Sequence, residues 1–593
     1  MTPRGGDGLN PGVFNSGGFI VHIRHAGLLI LLCLTLYLPG LSVIPPLDRD
    51  EARFAQASKQ MVETGDYVDI RFQETPRYKK PVGAYWLQAA SVKLFSSNDP
   101  TAIWVYRIPS LMAAILAVLL THALARLLLT ERAALLAAAL LASSFLLTIE
   151  AHLAKTDALM LATVVAAQLG LARAYTGATG PGTWLVFWLG IGLGALIKGP
   201  ITPLVAGLTA LTLVIVDRRT GWLLALRPLI GLPLATLIVT PWIIAVQLRS
   251  GGAFLQSSVG GDLIPKLLGA MESHGSPPGY YLLLLMVTFW PGSLFVWPAL
   301  GSAWRSRTEP ALRFLLAWLL PTWLLFEVIP TKLPHYVLPL YPALAILAAA
   351  WISRFNIATK TAKGAPPRFP RGTRIAAGLW LATGLALAGA AAALPIIGVG
   401  SDNPIEGRLS TSSAAERVVG QVLQALATAP EAFIAAPLAL IFVIPGAAAM
   451  LKSQPRRAAI LCIVGAALFL PSLAHLTVPS LSKVFVSPRI ADAIEALNTK
   501  ASGPRVAVGF HEPSLVFLAG TETKLTSPEQ AASDLAHHPG TIAVVARRHR
   551  DEFLDAAKRL GVEIKTHKSI AGLNYSNGKD VVIDIITRGN GNE

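Results

Sequence analysis

Long apolar runs, each closed by a short polar or basic turn, dominate the first 480 positions. The pattern changes after about Ser480. Runs of ~18 to 20 apolar residues are what a helix needs to cross a hydrocarbon layer. Such segments must be helical, because lipid offers no partner for backbone N–H and C=O groups. This predicts spans near 26–44, 101–125, 133–149, 157–174, 183–198, 200–216, 223–246, 279–303, 311–329, 335–352, 374–397, 433–451 and 457–478. That is about thirteen transmembrane helices by the length criterion. The expected fold class is a mostly α, polytopic membrane protein with a small C-terminal α/β domain. Residues 1–18 are expected to be disordered, 19–479 to form the membrane domain, and 480–593 to form the α/β domain.

Two parts of the chain break the apolar rhythm. Within 45–100, apolar positions return at helical spacing over Asp50–Glu63 and again over 81–95, predicting two interfacial helices. In the C-terminal part, 504–509 and 541–546 are short β-rich runs and 549–560 is helical. Segments 562–570 and 580–587 flank Asn577-Gly578, a hairpin turn signal.

Composition supports the membrane reading. Of 593 residues 53% are hydrophobic and only 14% charged, against about 25% charged in soluble domains. The net charge of +16 would suggest nucleic acid in a soluble chain. Here no basic face or stacking platform accompanies it, and the basic residues fall in alternate loops. Arg24, Arg126, Arg132, Arg218, Arg219, Arg305, Arg307, Arg313, Lys360, Lys363, Arg368, Arg371, Arg374, Lys452, Arg456 and Arg457 all lie on one side of a thirteen-span topology. That side is the cytoplasm by the positive-inside rule. The N-terminus is then cytoplasmic and the C-terminal domain external. Cys33 and Cys462 sit in apolar runs, which argues against a disulfide framework.

Every motif-rich segment then falls on the external face: 45–100, 150–157, Lys198-Gly-Pro200, 248–278 and Thr331–Tyr336. Asp50 and Glu51 follow a Pro-Pro break. They either open a helix, where acids are favoured, or act as a general base on an acceptor hydroxyl. Arg53 lies one turn on, placed to orient Asp50 or hold a phosphate. Lys79 and Lys80 before Pro81 read either as headgroup contacts or as cations stabilising a departing phosphate, Lys80 being the better placed. Lys198 and Lys332 either snorkel or join Arg53 and Lys80 in a cationic set for a phosphate. Asp157, with Glu150 and His152 in the same turn, either caps a helix or is functional. His274, near Glu272, is a candidate metal ligand together with the carboxylates of the first loop.

These residues carry a resemblance. Asp50-Glu-Ala-Arg-Phe54, Lys80-Pro-Val-Gly-Ala-Tyr-Trp86, Asp157, Lys198-Gly, His274 with Pro-Pro-Gly-Tyr-Tyr, and Lys332-Leu-Pro-His-Tyr-Val-Leu-Pro339 occur in the expected order. Over about 20–480 the chain resembles polyprenyl-phosphate-dependent glycosyltransferases of the GT-C fold, in the protein O-mannosyltransferase superfamily. The nearest branch is that of the bacterial lipid A aminoarabinose transferase. The resemblance implies an inverting transfer from a polyprenyl-phosphate-linked sugar at the periplasmic face. Lipid A or another envelope glycolipid is the expected acceptor, with a protein acceptor as the alternative and a lipid-linked substrate transporter as a further rival. It implies a bacterial inner membrane with the C-terminal domain periplasmic, Asp50 as the catalytic carboxylate, Lys80 and Arg53 at the donor phosphate, and Tyr336 near it. Joined to the reading of the residues, the expected site has Asp50, Glu51 and Lys80 as catalytic, and Arg53, Lys198, Lys332 and Tyr336 at the donor phosphate. Tyr78, Tyr85, Asp157 and His335 would line the pocket, and Asp50 and His274 are the candidate ligands of a divalent metal, the one cofactor left open. Lys79 stands where the aminoarabinose enzymes carry Glu, which removes one metal ligand and leaves the sugar open.

Overall fold

The computed structural model describes residues 16–96, 99–265, 275–361, 369, 371–398, 422–497 and 503–589. Among the described residues, eight helical segments are long and apolar enough to cross a membrane: Ile103–Leu128, Asp157–Thr176, Pro228–Arg249, Pro310–Val328, Pro334–Phe355, Arg371–Gly398, Pro430–Leu451 and Pro455–Thr477. Two bent pairs bring the number to ten, and Val21–Tyr37, Thr183–Lys198 and Ile201–Asp217 are shorter apolar helices.

The bends have local causes. The pair Tyr280–Thr288 and Gly292–Arg305 is bent by 118°, where an unbroken span over 279–303 was expected. Pro291 has no N–H to continue the ladder, so the first helix stops before it. The pair Glu131–Ala142 and Phe145–Ala151 is bent by 63° at Ser143-Ser144, whose hydroxyls donate to the carbonyls of Leu140 and Leu141. Such local side-chain bonds compete with the helix.

The helices that position the site are α1 (Ser16–Tyr37), α2 (Asp50–Thr64), α3 (Gly83–Phe95), α4 (Ile103–Leu128), α5 (Glu131–Ala142), α6 (Phe145–Ala151), α7 (Asp157–Thr176) and α8 (Thr183–Lys198). Helices α7 and α8 are antiparallel neighbours in close contact. A Cβ at Gly190 would lie 2.7 Å from the Ala167 nitrogen and 2.8 Å from the Thr163 oxygen. Small residues let helix backbones approach this closely. The first residue of α7, Asp157, is thereby brought beside the last residue of α8, Lys198. Gly199, at φ +64, turns the chain sharply after Lys198, a backbone that favours glycine. Both cysteines are buried and free.

The interfacial pair α2 and α3 is joined by a small antiparallel ribbon, β1 (Arg71–Phe72) with β2 (Thr75–Pro76). The C-terminal part builds a five-stranded mixed sheet from β3 (Arg505–Val508), β4 (Lys524–Thr526), β5 (Ile542–Ala546), β6 (Ile564–Asn574) and β7 (Lys579–Arg588). Its order is β4-β3-β5-β7-β6. Side chains alternate across it. Ala507 and Val544 pack with Ile490 and Leu515 on one face, whereas Val506, Val508, Ala543 and Val545 pack with Leu535 and Phe553 on the other. The long β6–β7 hairpin closes through Tyr575–Gly578.

This α/β unit sits on α2. Phe517 packs among Ala55, Val92, Tyr106 and Ala154, edge-on to the Tyr106 ring. Gln56 donates to the Thr521 hydroxyl at 2.8 Å, and Gln73 to the carbonyls of Thr521 and Thr523 at 2.9 and 2.6 Å.

Candidate active site

The neighbouring acids Asp50 and Glu51 have opposite surroundings. One helical step of about 100° separates them. That step turns Glu51 inward, where its side chain is 1% exposed, and leaves Asp50 57% exposed. Arg107, fully buried on α4, meets Glu51 in a two-pronged pair at 2.8 and 2.9 Å. The backbone N–H groups of Leu47 and Ala154 also donate to Glu51, at 2.9 and 2.8 Å. The remaining Arg107 donors reach the carbonyls of Leu41, Ile44 and Pro45 at 2.9, 2.7 and 3.0 Å. A buried charge persists only when paired and hydrogen-bonded, and this pair is saturated. It ties together the end of α1, the start of α2, helix α4 and the turn before α7. The expectation of Glu51 as a catalytic acid or base therefore meets a carboxylate with four N–H donors and no lone pair facing solvent.

Asp50 faces Arg77, whose guanidinium lies 3.9 Å away and stacks over the Phe54 ring at 5.4 Å. Asp50 also acts on Lys155. Lys155 opens the way to a dense cluster. Its ammonium lies 3.4 Å from Glu150 and 3.9 Å from Asp157. Asp157 pairs directly with Lys198. His335 places Nδ1 3.9 Å from Glu150 and Nε2 3.7 Å from Asp157. Lys198 stands over the Tyr336 ring at 5.9 Å, and Lys80 is among the charges acting on His335. Burial alone would lower the pKa of Lys155, but Glu150 and Asp157 outweigh it and raise it above the ordinary value. The sequence-predicted Asp157, Lys198, His335 and Tyr336 are thus brought together, with Asp50 and Lys80 within electrostatic reach of the cluster.

Other expected site residues sit differently. Lys332 is buried and donates to the carbonyls of Ser276 and Ile329 at 2.8 and 2.9 Å. It braces the loop before His335 and Tyr336 rather than presenting its ammonium to a phosphate. The Tyr78 hydroxyl donates to Asp69 at 2.7 Å, and its ring packs against Phe254. Tyr85 is buried and stacked on Phe54. Both tyrosines stiffen the first loop. The charge of Arg53 acts on Asp48. His152 is buried between the carbonyls of Thr148 and Pro39, 2.7 and 2.8 Å from its ring nitrogens. His274 and Glu272 lie outside the described residues. Among those described, Asp50 is not part of a metal-capable group, whereas Glu150, Asp157 and His335 offer ligand atoms within 4.8 Å of one another. Lys155 and Lys198 already meet these two carboxylates, so a cation there would share them with the ammonium groups.

The site's entrance is gripped by the C-terminal unit. Asp48 accepts from the backbone N–H of Ser514 at 3.2 Å and from its hydroxyl, and the Asp48 N–H meets the Tyr575 hydroxyl. Arg49 holds φ +67, a conformation that side-chain-bearing residues rarely adopt, and its guanidinium donates to the Ser576 carbonyl. A strained backbone at such a point persists because its surroundings over-determine it.

Known proteins resemble this chain in sequence and in fold. The model of the dolichyl-phosphate-mannose-protein mannosyltransferase family matches residues 79–244. The undecaprenyl phosphate-alpha-4-amino-4-deoxy-L-arabinose arabinosyl transferase of Pseudomonas paraeruginosa is 32% identical over 334 residues, 54% of this chain and 60% of that protein. The Yersinia pestis protein of the same name is 30% identical over 331 residues, 55% of this chain and 59% of that protein. The matches thus span less than two thirds of the length of these curated relatives. The crystal structure of ArnT from Cupriavidus metallidurans bound to undecaprenyl phosphate superimposes with a TM-score of 0.69 at 18% identity, covering 96% of this chain and 98% of that one. This chain has the ArnT fold. The apo form of the same ArnT gives 0.68 over the same shares.

Within this ArnT-like fold, Arg107, Lys155 and Arg77 escaped the sequence reading, and Glu150 was read only as a neighbour of Asp157. Arg107 is a charge set among apolar residues in the 26-residue helix α4, a signal that was available because ionisable residues at membrane depth are functional candidates by default. Lys155 and Glu150 flank Asp157 in sequence, but only the turn after α6 shows that their charges meet. Arg77 was visible only as part of a basic stretch.

Proposed function

We propose that this chain is a membrane glycosyltransferase that moves a sugar from a polyprenyl-phosphate donor to lipid A, or another envelope lipid, at the periplasmic face. The observation that carries this reading is the buried cluster of Lys155, Lys198, Glu150, Asp157 and His335, with the solvent-facing carboxylate of Asp50 within electrostatic reach of its Lys155. The names of the relatives, with the undecaprenyl phosphate bound to the superimposed ArnT, support the donor class.

The chemistry follows from the groups present. Asp50 takes the proton of the acceptor hydroxyl as its oxygen attacks the anomeric carbon. The bond from that carbon to the phosphate oxygen breaks, and the phosphate leaves with added negative charge. Lys155 and Lys198 lie where ammonium groups can shift from carboxylate to phosphate, with Lys80 within electrostatic reach of His335. Fixed cations are worth most where charge develops in a site shielded from water. Glu51 is assigned a positioning role: with Arg107 it fixes the backbone that presents Asp50.

We read thirteen crossings, counting as spans both the ten long or bent segments and the three shorter apolar helices among the described residues. We read the end bearing Asp50 as periplasmic. The C-terminal unit would then lie outside and hold the Asp48–Arg49 backbone in place. A protein acceptor is the second reading, favoured by the protein mannosyltransferase model matching residues 79–244.

Asp50→Asn in purified membranes, assayed with a lipid-linked sugar and lipid A, should lose transfer by about 10²-fold or more, as for removal of a general base, with normal insertion. Undiminished transfer would remove Asp50 from the role. Mass spectrometry of envelope glycolipids from a deletion strain, against glycopeptides, separates the lipid acceptor from the protein one.

A further inference from the structure

A second cluster lies at the opposite end of the helices, away from Asp50. Helix α1 carries His22 and His25 on one face, α4 carries His122 and Arg126, and α5 begins at Glu131. One ligand atom each of His25, His122 and Glu131 falls within 4.8 Å of the others. His25 Nδ1 is 3.7 Å from Glu131 Oε2, and the His25 and His122 rings stand edge to face with centroids 5.6 Å apart. His122 is only 6% exposed.

The hydrogen bonding around these atoms is asymmetric. Glu131 Oε1 accepts from Arg126 Nε at 2.7 Å, and Arg126 Nη2 lies 2.5 Å from His22 Nε2. In contrast, His25 Nδ1, His122 Nε2 and Glu131 Oε2 are buried without a hydrogen-bond partner among the described residues. Leaving a buried polar atom unpaired costs about 1–3 kcal/mol, so three converging on one point need an explanation. Metal sites show this arrangement: one carboxylate oxygen is held by an outer group, and the other is turned to the ion.

We propose that His25, His122 and Glu131 bind a divalent transition-metal ion of the zinc class. Two imidazoles and one carboxylate suit zinc, cobalt or nickel rather than magnesium or calcium, which prefer all-oxygen shells. Around a tetrahedral zinc with bonds near 2.0–2.1 Å, ligand atoms sit roughly 3.3 Å apart, so the 3.7 Å pair needs only a small contraction. A fourth position stays open to water. The ion would clip α1 to the α4–α5 hairpin, a structural role independent of the sugar-transfer reading. The positive charge of Arg126 makes it a modest binder, loaded according to available metal.

The test uses the purified full-length protein in detergent, stripped with a chelator and titrated with cobalt(II) and zinc(II). The wild type should show the visible absorption of a four-coordinate cobalt site with nitrogen ligands, and zinc should raise its Tm. His122→Ala and His25→Gln should each lower zinc affinity at least tenfold and abolish the Tm gain. Asp157→Asn, which alters the other metal-capable group, should leave the cobalt band in place. A band retained in either histidine variant, or lost in Asp157→Asn alone, overturns the proposal. If His122→Ala does not fold, His25→Gln decides, with circular dichroism as the folding control.

Discussion

The two clusters of titratable side chains, one at each end of the helices, are built on opposite plans. Beside Asp50, two acids face two lysines and a histidine, and the carboxylates of Glu150 and Asp157 have ammonium partners. Around Glu131, imidazoles outnumber the single acid, the cation is an arginine already committed to it, and three ligand atoms have no partner among the described residues. Lysine carries a compact charge on a flexible stem, whereas the arginine fork fixes geometry. The first plan suits an incoming anion, because each ammonium can exchange a carboxylate for a phosphate oxygen without moving a helix. The second suits a cation held by converging lone pairs. The same contrast recurs within the first site, where the rigid Glu51–Arg107 pair underlies the movable lysines.

The largest effect should separate the rigid pair from its neighbour. Glu51→Gln leaves the Arg107 charge buried without its counter-charge. Breaking one side of such a pair typically costs about 3–5 kcal/mol. Detergent-solubilised Glu51→Gln should show a marked fall in Tm, whereas Asp50→Asn should keep the wild-type value, since its side chain is more than half exposed. Equal Tm values would erase the distinction between a positioning acid and a reacting one.

Lys198→Met should come next. It removes a cation that the reaction recruits, so kcat should fall by about 10²-fold, the scale seen for loss of one donor to a developing anion. It also leaves Asp157 without its nearest ammonium, and Lys155 then becomes its main partner. A rise in KM with unchanged kcat would mean that Lys198 only binds the donor.

The smallest effect concerns the grip of the C-terminal unit. Burial pushes the Asp48 carboxyl up from 3.8 to about 6, against the opposing bonds from Ser514. The docked form therefore holds a proton that the undocked form releases. This stabilisation is complete below 3.8 and is lost as the pH rises through about 6. Asp48→Asn should flatten the pH dependence of C-terminal docking in that window, read by limited proteolysis of the 503–589 unit. A slope unchanged by the substitution would place the titration elsewhere.

Much of the architecture was legible because lipid solvation leaves so few options. A long apolar run must be a helix, and the spans at 157–174, 183–198 and 311–329 lie within a few residues of the observed helices. The 118° bend at Pro291 was less visible, since a proline inside an apolar run reads as readily as a kink. In the C-terminal part, Asn577-Gly578 announced the β6–β7 hairpin, whereas the strand order depends on crossovers that no local pattern encodes. At the site, Asp50, Asp157 and Lys198 stood out because charges beside membrane segments are costly to keep. Which of two adjacent acids turns inward was not readable, because that depends on where Arg107 arrives from a helix more than fifty positions away. Lys332 shows the reverse case: it sits in a motif with His335 and Tyr336, but its ammonium is satisfied by backbone carbonyls.

The hold of Ser514, Tyr575 and Ser576 on Asp48 and Arg49 imposes an order of events on biosynthesis. Helices α1 and α2 leave the ribosome early, yet the turn between them gains its last restraints only after some 527 further residues have been translated. Until then that turn rests on the Glu51–Arg107 pair. A nascent chain would thus be inserted with the turn held from one side, and completion of the polypeptide would add the second hold.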